Sequence, residues 1–203
     1  MALIFSNSNR KYSMKNLLND VIESIPLSFF LLYIQCIDIK QSHDWLLPYL
    51  MASVAALGSM VYLARRGVIL NRLSVGINLY FLSGLFGLVF EWLWLNQLYG
   101  QVRGLGMLGW IVALGIVTSL FSCHGFIGLA NADRASLAQG SLLLLLASIL
   151  ALIMAGYFID NRFWGEWFPF IFLFLTRSAL QQLSRASLSA THVMGKIFNK
   201  ITG

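Results

Sequence analysis

Glu91 is the residue whose setting most clearly raises a question of chemistry. It lies in NLYFLSGLFGLVFEWLWLNQ, residues 78–97, a stretch that is otherwise apolar enough for a lipid bilayer. A charged side chain in hydrocarbon costs about 2.5–3.5 kcal/mol, so intramembrane acids often mark ion or proton pathways. Glu91 is also followed by Trp92 and Trp94, and indole rings favour the headgroup layer. Two interpretations follow: the carboxylate reaches the outer interface, or it points into a helix bundle.

The second interpretation depends on the helix face that Glu91 would share. Tyr80, Gly84 and Gly87 precede it by eleven, seven and four residues, which is the spacing of one helical stripe. Small residues on such a stripe let another helix approach closely. Glu91 would then line a polar pocket that opens outward.

A second charged set consists of Asp20, Glu23 and Arg177. The two acids are one turn apart near the start of the first apolar run, and the arginine lies inside the last run. Acids favour a helix N-terminus, cations favour a C-terminus, and arginine can snorkel to the interface, so these preferences alone explain the positions. The alternative is an ion pair between the first and last helices that closes the bundle.

His124 and the two cysteines are the remaining reactive side chains within the predicted apolar runs. His124 lies near the end of the fourth apolar run, where it could relay protons or, more commonly, serve as a hydrogen-bonded packing residue. The spacing of Cys36 and Cys123 indicates neither a redox pair nor a zinc pair. The sequence contains no HExxH, G-x-S-x-G or P-loop pattern. We therefore expect no catalytic, cofactor-binding or metal-binding residue.

Six apolar runs must position these side chains. Each run is long enough to cross roughly 30 Å of hydrocarbon, and each is continuous rather than alternating, which predicts helices instead of strands. The runs are residues 17–39, 45–63, 73–95, 105–129, 141–159 and 163–180. The predicted fold is an all-α, polytopic integral membrane protein with six transmembrane helices in residues 17–180. Six spans divided three and three would place two halves in opposite orientations, as in many transporters.

The basic residues and tryptophans predict how the chain is threaded. Eleven Lys and Arg fall on the side of the N-terminus and three on the other side, so both termini are expected in the cytoplasm. All six tryptophans fall at the opposite ends of the predicted helices, where they would form an outer interfacial belt. Residues 1–16 are then a cytoplasmic segment. Residues 181–203 are expected to form a basic amphipathic cytoplasmic tail, which lies on the leaflet or is solvated and frayed.

The composition agrees with a membrane location. Of 203 residues, 58% are hydrophobic and 11% are charged, whereas soluble domains carry about 25% charged residues. The mean hydropathy is +0.74. The net charge of +6 is what positive cytoplasmic loops produce, so nucleic acid is not an expected partner. The expected partners are the lipid bilayer and either other membrane proteins or further copies of this chain.

Two stretches resemble a known family. IPLSFFLLYIQCIDI (25–39) is similar to the first helix of the intracellular septation protein A family, with its Pro, paired Phe, Tyr and Asp-Ile. FIDNRFWGEWFPFIFLF (158–174) is similar to the late helix of that family, with its pattern of Asn, Trp and Phe. The resemblance implies a non-enzymatic bacterial inner-membrane protein that acts in envelope upkeep through other membrane proteins.

The function predicted from these features is non-catalytic: envelope maintenance in the bacterial inner membrane, or a role as one component of a larger membrane assembly. The alternative is a small oligomeric transporter or channel with an outward-facing pocket around Glu91. In that case Gly84 and Gly87 would let the helix pack closely or move. A membrane enzyme acting on lipid is a third reading.

Overall fold

The computed structural model describes residues 18–19, 21–33, 36, 42–68, 70–102, 104–122, 124–128 and 134–183. All regular structure within these ranges is helical, which confirms the predicted all-α class. The predicted N-terminal segment 1–16, Asp20, Cys123 and residues 184–203 of the predicted tail lie outside the described residues.

The described residues form helices, one 3-10 turn and one π-helical turn. In chain order they are α1 (Val21–Tyr33), a 3-10 turn (Ser42–Trp45), α2 (Leu46–Arg65), α3 (Arg72–Val89), α4 (Leu93–Val102), α5 (Gly104–Phe121), α6 (Arg134–Tyr157), a π-helical turn (Arg162–Trp167) and α7 (168–183). The π-helical turn runs directly into α7, since Phe168 has helical backbone angles.

Four of these helices, α2, α3, α5 and α6, are long and apolar enough to cross a membrane. Helix α1 is apolar but shorter. This result is compatible with a membrane protein, whereas the prediction of six spans with both termini in the cytoplasm stays a prediction.

Helix α6 presents its large apolar side chains outward and its small ones inward. Its buried residues are mostly small: Gly140, Ser141, Leu144, Ser148, Ala151 and Ala155. Its exposed large residues are Leu142, Leu143, Leu146, Leu150 and Ile153. A helix on the surface of a soluble protein shows the reverse pattern, with polar side chains outside. Small residues at helix contacts and large apolar residues outside are typical of helices in lipid.

Contacts divide the chain into two compact units, Met1–Gln101 and Val102–Gly203. In the first unit α2 packs along α3, and Phe30 of α1 adds its ring to that core beside Phe81. In the second unit α5 packs along α6, and the π-helical turn contacts both helices. The boundary falls between the third and fourth predicted spans.

The predicted helix at 73–95 is wrong as one continuous element. Helix α3 ends at Val89, residues 90–92 form a turn, and α4 begins at Leu93. The prediction failed because apolar residues continue on both sides of Glu91, and hydropathy averaged over the run does not report backbone direction.

The predicted helix at 105–129 is also too long. Helix α5 ends at Phe121, and the backbone then turns. Gly125 and Gly128 have φ of +59° and +69°, values that a right-handed helix does not contain. Helix α6 begins earlier than the predicted 141–159, at Arg134.

Candidate functional site

Glu91 lies in the turn that ends α3. The N–H of Trp92 donates to the carbonyl of Gly87 at 2.8 Å. The N–H of Glu91 donates to the carbonyl of Leu88 at 3.3 Å. This pair of bonds is the Schellman motif, in which the residue after the C-cap takes left-handed backbone angles and is usually glycine. Glu91 has φ of +53° and an exposed side chain, so the prediction that it projects from a helical stripe is wrong.

Helix α2 ends in the same motif with glycine at the corresponding position. The N–H of Val68 donates to Leu63 at 3.2 Å, and that of Gly67 donates to Ala64 at 3.0 Å. Gly67 has φ of +66°. A residue with a Cβ costs about 1–2 kcal/mol in this conformation. Strain of this kind concentrates at functional sites, which keeps Glu91 a candidate on new grounds.

Tyr80 belongs to a group that we call the tyrosine cluster: Tyr49 of α2, Tyr80 and Ser83 of α3, and Tyr99 of α4. Tyr49 and Tyr80 are buried, and Ser83 and Tyr99 are half-buried. The hydroxyl of Tyr49 donates to that of Tyr80 at 2.6 Å. The ring centroids of Tyr80 and Tyr99 are 4.6 Å apart. The hydroxyls of Ser83 and Tyr99 lie 2.6 Å apart. The cluster therefore satisfies its buried hydroxyls internally, and phenols are uncharged at neutral pH, so it favours packing over acid–base chemistry.

Gly84 makes room for the tyrosine cluster. A Cβ at Gly84 would lie 2.6 Å from Cδ1 and 2.9 Å from Cζ of Tyr49. The ring of Tyr49 thus packs against the backbone of α3. Gly87 is buried one turn further along α3. Of the predicted stripe, the structure brings Tyr80 and Gly84 together against α2 and leaves Glu91 beyond the end of the helix.

Glu23 lies buried at the start of α3. Its Oε1 accepts a hydrogen bond from the N–H of Asn71 at 3.0 Å. Asn71 Oδ1 in turn accepts from the N–H of Leu73 at 3.0 Å. The two side chains cap the first turn of α3, where the partial positive charge of the helix favours an anion. The ion pair between Glu23 and Arg177 stays a prediction, since the two residues belong to different units.

His124 and Arg177 both lie in the second unit. His124 is exposed in the turn after α5, so its predicted place inside the fourth helix is wrong. The backbone N–H of His124 donates to Ser122 Oγ at 3.4 Å. Arg177 lies half-buried in α7, within the last apolar run as predicted.

Residues 124–128 form a turn whose central residues, 125–127, are buried and pack against α6. Phe126 and Ile127 are completely buried. Ser141 Oγ accepts from the N–H of Phe126 at 2.9 Å and from that of Ile127 at 3.4 Å. Gln181 Nε2 donates to the carbonyl of Ile127 at 3.3 Å. One serine therefore accepts hydrogen bonds from two backbone donors that have left the helix.

Two glycines create the space for this turn. A Cβ at Gly140 would lie 2.9 Å from Cδ1 of Ile127, and one at Gly115 would lie 3.0 Å from Cε1 of Phe126. The turn thus packs against α5 and α6 at positions where each helix has a glycine.

The π-helical turn has its own cap. Asn161 Oδ1 accepts from the N–H of Phe163 at 3.1 Å and from that of Trp164 at 3.2 Å. A Cβ at Gly165 would lie 3.1 Å from the carbonyl carbon of Phe158, so the preceding turn packs directly on this glycine. π-helical segments often occur at functional sites.

Sequence patterns could have found part of this arrangement. Asn71 and Asn161 each precede a helical run, which is a recognised N-cap signal. Tyr49, Tyr99 and Ser141 carry no such signal, because their partners are remote in sequence. Within the described ranges, no group of three or more His, Cys, Asp or Glu could hold a metal ion.

No protein-family model, curated protein or solved structure matches this chain.

Proposed function

We propose that this chain is a six-span integral protein of the bacterial inner membrane with both termini in the cytoplasm. It acts without catalytic chemistry, in envelope maintenance or as a component of a larger membrane assembly. The observation that carries the proposal is that several buried hydroxyls of the helices donate to backbone carbonyls of their own helix. The resemblance of residues 25–39 and 158–174 to the septation family implies the same kind of role.

Three buried hydroxyls illustrate this use. Ser59 donates to the carbonyl of Ala56 at 2.9 Å. Thr118 donates to that of Leu114 at 2.7 Å, and Ser148 donates to that of Leu144 at 2.8 Å. An enzyme site gathers several polar groups in one pocket. These hydroxyls instead bond within their own helices, an arrangement that supports a role in packing.

The outward faces of the spans supply surface for partners. Between 28% and 50% of the residues in the four long apolar segments are buried within the protein. Much of the remainder is large and apolar, such as Leu150 and Ile153 of α6. Lipid or the helices of another membrane protein would cover these faces in the cell.

The test is purification of the full chain in mild detergent, followed by mass measurement of the intact complex. The proposal expects a second membrane protein in fixed stoichiometry, and no passage of ions or small solutes when the purified chain is placed in liposomes. A chain that purifies only as its own oligomer and conducts solute would contradict it.

The strained turn at Glu91 and the turn at 124–128 favour a second candidate, a small oligomeric transporter or channel. Transporters often place their binding sites at interrupted helices. Flux through liposomes that is lost in Glu91→Gln would establish this candidate. Glu166→Gln is the matched control, because Glu166 also lies beside a tryptophan, Trp167, but in the π-helical turn. Equal loss of flux in both variants would argue against a specific role for Glu91.

A further inference from the structure

Helix α2 carries an open groove on its outward side, close to its C-terminal end. The groove has a volume of about 620 Å³. This volume falls within the range of small-molecule sites, roughly 300–1,000 Å³. The described residues that line it are Leu57, Gly58, Val61, Tyr62, Arg65 and Arg66. They recur at intervals of three and four, so they share one face, which we call the α2 groove.

One end of the α2 groove is apolar and open. Leu57 and Val61 are about half exposed, at 50% and 49%. Gly58 lies between them along the helix, and a Cβ there would meet nothing within 4 Å. This end is therefore a shallow aliphatic channel, with the backbone of Gly58 at its base.

The other end is basic. Arg65 and Arg66 are both exposed, and α2 contains no acidic residue. The guanidinium carbon of Arg66 lies 4.5 Å from the centroid of the Tyr62 ring. A cation–π contact of this kind orients the guanidinium. The planar fork of arginine matches the oxygens of a phosphate group.

We propose that the α2 groove binds one anionic phospholipid. The phosphate lies on Arg65 and Arg66, and an acyl chain runs along Leu57, Gly58 and Val61. The nine residue steps from Leu57 to Arg66 cover about 14 Å at 1.5 Å per residue, close to half of a hydrocarbon core of roughly 30 Å. One phospholipid of a single leaflet therefore fits the groove, with its headgroup at the basic end and its acyl chain at the apolar end. This inference rests on the proposed membrane location and is independent of the envelope role.

The side chains around Gly58 favour an acyl chain over a second helix. The contact faces of closely packed membrane helices are enriched in small residues spaced by four. The residues four before and four after Gly58 are Val54 and Tyr62, both large. A second copy of the same face would also bring four arginines together.

The experiment is native mass spectrometry of the full chain released from nanodiscs that hold equal amounts of phosphatidylglycerol and phosphatidylcholine with identical chains. We expect retention of phosphatidylglycerol over phosphatidylcholine. Each arginine beside an anionic headgroup is worth about fivefold, so Arg65→Gln with Arg66→Gln should lower the preference roughly 25-fold. Gly58→Leu should lower retention of both lipids without altering charge. Arg134→Gln, at an exposed arginine of α6, is the matched control for Arg66→Gln. It should leave the lipid preference at the wild-type value.

Three results would overturn the proposal. They are equal retention of the two lipids, an equal effect of Arg134→Gln and Arg66→Gln, or a dimer that Gly58→Leu dissociates. Displacement of the lipid by glycerol phosphate at the same concentration would show that the site takes a free phosphate and does not use the acyl chain. A monodisperse elution profile and an unchanged helical circular dichroism spectrum show that each variant is folded. Failure of the chain to float with vesicles of any composition would instead remove the membrane location itself.

Discussion

At the residue scale, Glu91 and Gly67 adopt the same left-handed conformation in the same kind of helix-ending turn. Their φ values are +53° and +66°, and both turns contain the paired Schellman hydrogen bonds. Glycine adopts this conformation without a steric penalty, but a glutamate does not. The acid that interrupts the apolar stretch therefore marks the point where the helix ends.

Replacing Glu91 with glycine should stabilise the protein. Relief of the left-handed strain is worth about 1 kcal/mol, or roughly 2–4 °C in the thermal midpoint for a chain of this size. Glu91→Gln is the matched control, because it removes the charge and keeps the strain, so its midpoint should equal that of the wild type. Thermal unfolding of the purified protein in detergent measures both.

The reverse substitution completes the comparison. Gly67→Ala should lower stability by about 1 kcal/mol, since a Cβ there would meet nothing within 4 Å and only the backbone conformation is penalised. A stabilised Gly67→Ala, or a Glu91→Gly no more stable than Glu91→Gln, would contradict this reading of the two turns.

Two buried serines of α6 allow a second prediction at this scale. Ser141→Ala leaves the N–H groups of Phe126 and Ile127 without their acceptor, which should cost about 1–3 kcal/mol. Ser148→Ala removes a donor to the carbonyl of Leu144 within the same helix, and we expect a change of less than about 0.5 kcal/mol. Equilibrium unfolding in mixed micelles measures the difference. Equal losses in the two variants would mean that the serine does not hold the turn at 124–128.

At the element scale, apolar composition predicted where helices form. It did not predict where they end, because other interactions determine the turns between them. Helix α2 is nearly the predicted 45–63, because its apolar run ends at two arginines and a glycine. The turns at 90–92 and 124–128 lie inside long apolar runs, with apolar residues on both sides of them. They depend on backbone angles and on distant partners such as Ser141, which a hydropathy pattern does not contain. The same reasoning missed α4 and the tyrosine cluster.

Contact between α2 and α3 depends on Gly84. Gly84→Ala should destabilise the protein by about 1–3 kcal/mol, because the new methyl group overlaps the ring of Tyr49 and the ring must move. Gly109→Ala in α5 is the matched control, since nothing lies within 4 Å of a Cβ there, and it should be neutral or slightly stabilising. Tyr49→Ala should remove the penalty of Gly84→Ala in the double variant. A penalty that persists without the tyrosine ring would refute the proposed contact.

At the scale of the whole molecule, apolar composition predicted the fold class better than residue type predicted the functional side chains. The all-helical class follows from long apolar runs, and four of them form helices of spanning length. Contacts divide the chain after Gln101, and the prediction of three spans on each side of that point stays a prediction. The predicted functional side chains fared differently: Glu91 and His124 lie in turns, and Glu23 caps α3. Polar residues near helix ends often cap the helix. Residue type alone does not distinguish this structural role from a functional one.

The central claim is that the chain is threaded through a membrane with both ends in the cytoplasm. The most direct measurement is a pair of fusions after Gly203, one to a fluorescent protein that matures in the cytoplasm and one to alkaline phosphatase, which needs the oxidising periplasm for its disulfides. The proposed threading predicts a fluorescent fusion and an inactive phosphatase, both in the membrane fraction. An active phosphatase with a dark fluorescent fusion, or fusions that stay soluble without detergent, would contradict it.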